Sequence, residues 1–243
     1  MLELSIIIPI FNDEEVIFKL IGRLIPVVKS FSSQYEILFI DDGSWDETFN
    51  LLKKYRAKND KIKIIKLSKN YGQSNAITAG LDNAKGKILV IMDSDLQDKP
   101  EDIPILLAAL EENNVPMVIA KWEKRKTQFW KRCVANLFFR ISNLITDIHH
   151  PPNLGVFRAF YKILYDENIK NTDYSGTTLS QFYKLKFDYQ IVNLQRDSRF
   201  AGNSGYNLKK MIKLALDRII PHLRLKFKTN ARKPFYKIEK IIG

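Results

Sequence analysis

The sequence of 243 residues is poor in cysteine and histidine, with one cysteine, Cys133, and three histidines. A single cysteine excludes an intramolecular disulfide and a metal site built from several cysteines. No stretch approaches the roughly 18 consecutive apolar residues that a membrane-spanning helix needs. Residues 1–15 lack the basic segment and the small-residue cleavage site of a signal peptide. These absences predict a cytoplasmic protein that does not cross a membrane by itself.

Positive charge is concentrated in the second half of the chain. Residues 1–120 carry 14 Lys and Arg against 18 Asp and Glu, a net charge of −4, whereas residues 121–243 carry 25 against 9, a net charge of +16. Each Lys or Arg near an anionic membrane contributes about 1 kcal/mol to binding. The second half is therefore expected to hold the protein on the inner face of the cell membrane, with a membrane-protein partner as the alternative anchor. No recognisable nucleic-acid fold accompanies the charge, so a nucleic-acid partner is not expected.

Short apolar runs alternate with helical patterns in residues 1–120. Strands are predicted at 4–9, 36–40, 61–67, 87–93 and 115–120, and helices at 14–29, 71–83 and 101–113. This alternation predicts an α/β fold with a parallel sheet and helices on both faces. In such sheets ligands bind at the carboxyl ends of the strands.

The pattern changes after Lys121. Residues 125–146 and 207–220 have the spacing of amphipathic helices, residues 187–195 resemble a strand, and the basic tail 222–240 is expected to be loosely ordered. The predicted division is a domain at 1–206, with a nucleotide-binding half at 1–120 and an acceptor half at 121–206, followed by a basic amphipathic helix and tail at 207–243.

The strongest local feature is D-S-D-L-Q-D, residues 93–98, at the end of the fourth predicted strand. Carboxylates so close together repel one another unless a cation or a positive partner neutralises them. Asp93 and Asp95 point to the same side of an extended chain and can share a hard divalent ion that also holds phosphate oxygens. Such an ion would balance the charge on a leaving diphosphate.

Two other strands end in polar clusters. Asp41 and Asp42 follow the second strand, and residues 12–15, N-D-E-E, follow the first. Because parallel strands deliver their carboxyl ends to one edge, three acidic clusters are expected at the same rim.

Five motifs in this order resemble the family 2 glycosyltransferases with the GT-A fold, closest to the branch of dolichol-phosphate mannose synthase and bacterial polyprenyl-phosphate glycosyltransferases. They are P-I-F-N-D-E-E (9–15), D-D-G-S-W-D-E-T (41–48), N-Y-G-Q-S-N-A-I-T-A-G-L-D-N-A-K-G (70–86), M-D-S-D-L-Q-D-K-P-E (92–101) and R-F-A-G-N-S-G-Y (199–206). The resemblance implies a Rossmann-like, mostly parallel sheet and an inverting transfer from a UDP-, GDP- or dTDP-linked sugar with Mg²⁺ or Mn²⁺.

The resemblance also implies roles for individual residues. Asp93 and Asp95 would hold the metal, and Asp95 and Asp98 would be the catalytic carboxylates. The donor would be bound by Pro9, Phe11, Asp13, Asp41, Asp42, Asn70, Asp93 and Gln97, with Gln97 and Asp98 facing the sugar or acceptor. The acceptor or its phosphate would be bound by Arg125, Arg132, Arg199, Ser204 and Tyr206, since arginine presents a fork of donors that matches phosphate geometry.

The chain departs from the family pattern in several places, including Asn12-Asp13 where the family usually has N-E, and two further departures lie in its second half. The branch often carries G-D-F-R where this chain has Gly155-Val156-Phe157-Arg158, and the lysine of S-K-Y is Gly205 here. A sugar hydroxyl needs a positioned general base, whereas a phosphate monoester, with a second pKa of about 6, is largely ionised at neutral pH. Val156 therefore favours a polyprenyl phosphate acceptor, provided that Asp98 is not the base. The alternatives are transfer to a glycan hydroxyl and a non-catalytic nucleotide-sugar or membrane-binding module.

Overall fold

The structure is a computed structural model that describes residues 3–122, 154–168, 182, 187–195, 197 and 236–243. The helices predicted at 125–146 and 207–220 lie outside these residues. Within them, no helix has the length and apolar character needed to cross a membrane.

Strands and helices alternate through residues 4–122, as the sequence predicts. The strands are β1 (Leu4–Ile10), β2 (Tyr35–Asp41), β3 (Ile62–Leu67), β4 (Ile88–Ile91), β5 (Met117–Trp122), β6 (Leu154–Tyr161), β7 (Gln190–Leu194) and β8 (Ile238–Ile242). The helices are α1 (Glu14–Phe31), α2 (Thr48–Arg56), α3 (Gln73–Asn83), α4 (Ile103–Glu112) and α5 (Lys162–Asn168), and a short 3-10 helix, Pro100–Asp102, precedes α4.

The eight strands form one sheet in the order β7-β5-β6-β4-β1-β2-β3-β8. The pairs β1–β2, β1–β4, β2–β3 and β5–β7 are parallel. Strands β6 and β8 run antiparallel to their neighbours. The prediction of a mostly parallel sheet flanked by helices is therefore confirmed.

Two antiparallel strands were not predicted. β6 lies between β4 and β5, so these two strands are not neighbours although they follow each other in the predicted order. β8 pairs with the edge of β3, which corrects the expectation of a loosely ordered tail for its last residues. The isoleucines of K-I-E-K-I-I, at 238, 241 and 242, do not alternate, so the sequence pattern does not distinguish a strand from a basic tail.

Both faces of the sheet are covered because its central strands are apolar on both sides. All seven residues of β1 are buried. Helices α1, α2 and α4 pack on one face, and α3 and α5 pack on the other. The small residues of α3 allow a close approach, since a Cβ added at Gly80 would lie 2.4 Å from Ile7 Cγ2.

Candidate active site

The carboxyl ends of β1, β2 and β4 lie side by side. Ile10 of β1 is paired with Asp41 of β2, and β4 continues beyond its last residue through a bond from Met92 N to Ile7 O of 3.2 Å. The segments that follow these three strands, 11–15, 42–48 and 92–98, therefore share one rim. The rim contains every acidic cluster that the sequence singled out.

Side-chain bonds join the segments after β1 and β2. Asn12 N donates to Ser44 Oγ at 3.0 Å, and Trp45 N donates to Asn12 Oδ1 at 3.1 Å. Asp13 N donates to Thr48 Oγ1 at 2.9 Å. Asn12 has a φ of 53°, a left-handed conformation that asparagine tolerates better than most residues. This turn directs Asp13 across the rim, with Phe11 40% exposed beside it.

Asp13 connects the first segment to the loop after β4. Its Oδ2 accepts hydrogen bonds from Ser94 Oγ at 2.7 Å and from Phe11 N at 3.3 Å. Burial raises the pKa of Asp13, the bonds from Ser94 and Phe11 oppose that rise, and the charges of Asp95 and Asp46 add to it. Asp13 thus lies within the electrostatic field of Asp95, the second aspartate of the D-x-D pair.

Asp41 and Asp42 are both almost fully buried at the end of β2. Asp42 accepts the N–H groups of Tyr71 at 2.7 Å and Gly72 at 2.8 Å, and burial raises its pKa to about 6 in spite of these bonds. Asp41 Oδ1 accepts Ser44 N at 2.9 Å. Its Oδ2 is buried and makes no hydrogen bond to the described residues, and burial raises the pKa of Asp41 as well.

Asn70 and Pro9 lie near this carboxylate pair. Gly43 has a φ of 74°, and a Cβ there would lie 2.7 Å from Asn70 N, so glycine is required for the two loops to meet. Asn70 is exposed, and Pro9 is buried in β1 beside Ile40. The predicted donor-binding residues from β1, β2 and the loop after β3 are thus brought to the same edge.

The loop after β4 is held by hydrogen bonds within the loop and by one from α3. Gln73 Nε2 donates to Asp93 Oδ1 at 2.6 Å, and Gln97 N donates to Asp95 Oδ1 at 3.1 Å. Asp93 N donates to Oδ2 of the buried Asp98 at 3.1 Å. Asp93 and Asp95 remain partly exposed, whereas Gln97 is 5% exposed.

Asp93 and Asp95 fit a magnesium or manganese ion only if phosphate oxygens of the substrate supply further ligands. Within the described residues, no group of three or more His, Cys, Asp or Glu side chains could hold a metal ion. Mg²⁺ commonly binds through one or two carboxylates together with substrate phosphates and water. Two partly exposed carboxylates at a rim satisfy that requirement.

The G-V-F-R segment of β6 also reaches this edge. Arg158 is paired with Ile91 of β4, so Val156 lies two residues further toward the rim. Arg158 is 2% exposed, and its guanidinium donates to Val156 O at 3.1 Å and Gly155 O at 2.9 Å. Trp122 stacks on Phe157 with ring centroids 6.2 Å apart. An apolar side chain therefore occupies the position where the family often has a carboxylate.

Some predicted residues lie outside the described part of the chain, and some contacts were not predicted. The residues outside it are Arg125, Arg132, Arg199, Ser204 and Tyr206.

Ser94 and Gln73 received no role from the sequence, although both lie within quoted motifs. Alternation in an extended D-S-D segment predicts that Ser94 lies on the side opposite its two aspartates, but it does not predict the partner of Ser94.

Residues 5–169 match the sequence profile described as Glycosyl transferase family 2. The chain belongs to this family. The glycosyltransferase is 34% identical over 218 residues to the uncharacterized glycosyltransferase YkcC of Bacillus subtilis, covering 90% of this chain and 68% of that protein. It is 34% identical over 165 residues to the dodecaprenyl-phosphate galacturonate synthase of Rhizobium johnstonii, covering 65% of this chain and 48% of that protein.

The glycosyltransferase also has a similar fold to a solved structure. It aligns with glucosyl-3-phosphoglycerate synthase from Mycobacterium tuberculosis in complex with Mn²⁺, UDP-glucose and phosphoglyceric acid, with a TM-score of 0.66 at 17% identity. The alignment covers 96% of this chain and 90% of that one. The GT-A fold that the sequence predicted is confirmed.

Proposed function

We propose that this glycosyltransferase transfers a sugar from a nucleotide-sugar to a polyprenyl phosphate, with inversion at the anomeric carbon and with a divalent cation. The observation that carries the proposal is the bond from Ser94 to Asp13. It joins the D-x-D loop after β4 to the segment after β1, so acidic side chains from both segments lie at one rim.

The donor's nucleoside is assigned to the β1–β2 side of the rim. Phe11 offers an exposed ring beside Asp13. Asp41 Oδ2 is a buried acceptor without a hydrogen bond from the described residues, and a buried acceptor is stabilised by a ligand N–H or O–H. Pro9, Asp42 and Asn70 shape this side, and Asp42 acts by fixing the Tyr71–Gly72 loop.

The donor's diphosphate is assigned to Asp93 and Asp95. A divalent cation bound there supplies positive charge to the leaving diphosphate. Gln73 orients Asp93, and the backbone of Gln97 orients Asp95. Mutation of a residue that hydrogen-bonds to a metal ligand commonly lowers the metal affinity by 10- to 100-fold.

Transfer forms a bond between an acceptor phosphate oxygen and the anomeric carbon. The bond from that carbon to the donor diphosphate breaks, and its electron pair leaves with the nucleoside diphosphate. A phosphate acceptor needs no general base at neutral pH, since its second pKa is about 6. Val156 at the rim is compatible with such an acceptor. The name of the Rhizobium relative, a dodecaprenyl-phosphate galacturonate synthase, supports the same acceptor class.

The second half of the chain is assigned to the acceptor and the membrane. Its net charge of +16 supports attachment to the anionic inner face of the cell membrane. Arg125, Arg132, Arg199, Ser204 and Tyr206 would contact the acceptor phosphate. We also propose that the glycosyltransferase domain ends at residue 206 and is followed by a basic segment at 207–243.

The test is transfer of radiolabelled sugar into a product that organic solvent extracts. The purified protein is incubated with Mn²⁺, a polyprenyl phosphate in detergent and labelled UDP-, GDP- or dTDP-sugars. We expect lipid product with wild type and at least a 100-fold loss in Asp95→Asn, with Asp60→Asn, an exposed carboxylate before β3, as the matched control. Labelled glycan with an oligosaccharide acceptor, and none with the lipid phosphate, would replace the proposal by the hydroxyl-acceptor alternative.

A further inference from the structure

Asp197, three residues after β7, contacts the outer half of the D-x-D loop. Asp197 N donates to Gln97 O at 3.3 Å, and Gln97 Nε2 donates to Asp197 O at 3.4 Å. Lys99 Nζ lies 3.1 Å from Asp197 Oδ1. Asp197 therefore bonds to the residues on either side of Asp98.

The two halves of this loop have different supports. Ser94 and Asp93 are bonded to Asp13 and Gln73, which belong to the segment after β1 and to α3. Gln97 and Lys99 are bonded to Asp197, which lies beyond residue 121 in the second half of the chain. Asp93 and Ser94 are thus held by the first half of the chain, whereas Gln97 and Lys99 are also held by the second half, and bonds from Asp93 N to Asp98 and from Gln97 N to Asp95 join the two halves of the loop.

Simple surface pairing does not account for this arrangement. An isolated ion pair with side chains 27% and 48% exposed contributes little to folding. Here the ion pair adds to two bonds between the same segments, and one partner, Gln97, is 5% exposed. A second pair nearby, Arg23–Glu101, has similar exposures of 27% and 49%, but within the described residues neither side chain hydrogen-bonds to residues 93–98.

We propose that Asp197 and Lys99 are positioning residues that hold Gln97 and Asp98 against the sugar and acceptor. This inference rests on the proposed function of the rim. Because Asp93 and Ser94 are bonded to Gln73 and Asp13, which in the described part of the chain make no hydrogen bond to Asp197, loss of the Lys99–Asp197 contact affects transfer to the acceptor more than binding of the donor. The contact makes the geometry of the acceptor side depend on the second half of the chain.

The kinetic test uses Lys99→Ala, Asp197→Ala, the double variant and Lys99→Arg. We expect each alanine variant to lower kcat/KM for a polyprenyl phosphate in detergent about fivefold, with the Kd for nucleoside diphosphate and Mn²⁺ within twofold of wild type. The double variant should lose no more than either single variant, because the two residues act through one contact. Lys99→Arg should recover most of the activity.

The matched control is Arg23→Ala, which breaks the neighbouring pair of the same exposure. Equal losses in Arg23→Ala and Asp197→Ala would overturn the inference, and so would a 25-fold loss in the double variant, the product of independent effects. A parallel loss of nucleotide affinity in Asp197→Ala would also overturn it, since the donor side would then depend on the same contact.

Amide hydrogen exchange of residues 93–99 separates this inference from the proposed function, because it needs no substrate. We expect faster exchange in Asp197→Ala than in wild type or Arg23→Ala. Unchanged exchange in Asp197→Ala would overturn the positioning role even in an active enzyme. Absence of transfer by wild type would contradict the proposed function and the catalytic part of this inference, while the exchange result would still decide the contact itself.

Discussion

Ser94 Oγ donates a hydrogen bond of 2.7 Å to Asp13 Oδ2, a residue 81 positions earlier in the chain. The bond connects the loop that carries Asp93 and Asp95 to the turn that carries Phe11. The hydroxyl group of Ser94 therefore connects the proposed metal-binding side of the donor site to its proposed nucleoside-binding side.

Ser94→Ala should weaken binding of nucleoside diphosphate with Mn²⁺ about fivefold and lower the free energy of unfolding by about 1–2 kcal/mol at pH 7. The bond from Ser94 opposes the rise in the pKa of Asp13, so it favours the ionised carboxylate. Its loss should consequently cost less at pH 4 than at pH 7. Calorimetric titration and urea unfolding measure both effects.

Ser30→Ala is the matched control, because Ser30 is exposed and, in the part of the chain that the structure describes, its hydroxyl bonds only to Val27 O of α1. It should leave nucleotide affinity unchanged and stability within about 0.5 kcal/mol. Equal nucleotide affinities in the two variants would refute the coupling.

Asp42 should make stability depend on pH in a definite direction. Burial raises its pKa in the folded protein from 3.8 to about 6, so the folded state binds a proton that the unfolded state releases. The contribution of this residue to stability is present below about pH 4 and is lost as the pH rises through about 6. The free energy of unfolding of wild type, relative to that of Asp42→Asn, should therefore be about 1 kcal/mol larger at pH 5 than at pH 7. A difference of the opposite sign would contradict the assignment.

Two helical glycines should respond oppositely to alanine. A Cβ at Gly80 would lie 2.4 Å from Ile7 Cγ2 in the core, so Gly80→Ala should destabilise the protein by about 1–3 kcal/mol. Gly22 in α1 has nothing within 4 Å of the added Cβ, so Gly22→Ala should stabilise it by about 0.5–1 kcal/mol. Urea unfolding of both variants checks the close packing of α3 on the sheet, and equal effects would contradict it.

Gln73→Ala should lower the affinity for Mn²⁺ with nucleoside diphosphate about tenfold without a loss of stability. Gln73 is exposed, and its amide orients Asp93 Oδ1 at 2.6 Å. Asn83→Ala removes an amide from the other end of α3 that bonds to Ala79 O, and serves as the control. Titration with Mn²⁺ at a fixed nucleotide concentration distinguishes the two, and unchanged Mn²⁺ affinity in Gln73→Ala would rule out this role.

The first five strands could be predicted from sequence because each is a short segment in which apolar residues predominate. β6 could not, since Arg158 interrupts its apolar pattern and its insertion between β4 and β5 depends on long-range pairing. β8 is a short segment at the sheet edge, where Glu239 and Lys240 interrupt its isoleucines because an edge strand can carry charged residues.

The sequence predicts which strand ends carry the site residues, but it does not predict the hydrogen bonds between the loops. Asp13, Asp41, Asp42, Asp93 and Asp95 are at the expected edge because parallel strands place them there. The contacts Ser94–Asp13, Gln73–Asp93 and Asp197–Gln97 join loops that are far apart in the chain. No local pattern specifies which hydroxyl or amide meets which carboxylate.

The most direct test of the central claim is the melting temperature with UDP, GDP, dTDP or CDP, each with Mn²⁺ or with EDTA. A ligand at 100 times its Kd stabilises the native state by about 2.7 kcal/mol, which is a readily measured shift. We predict a shift with one of these nucleotides that requires Mn²⁺, is abolished in Asp95→Asn and persists in Asp60→Asn. No shift with any nucleotide, or an equal shift in EDTA, would contradict a metal-dependent nucleotide-sugar site at this rim.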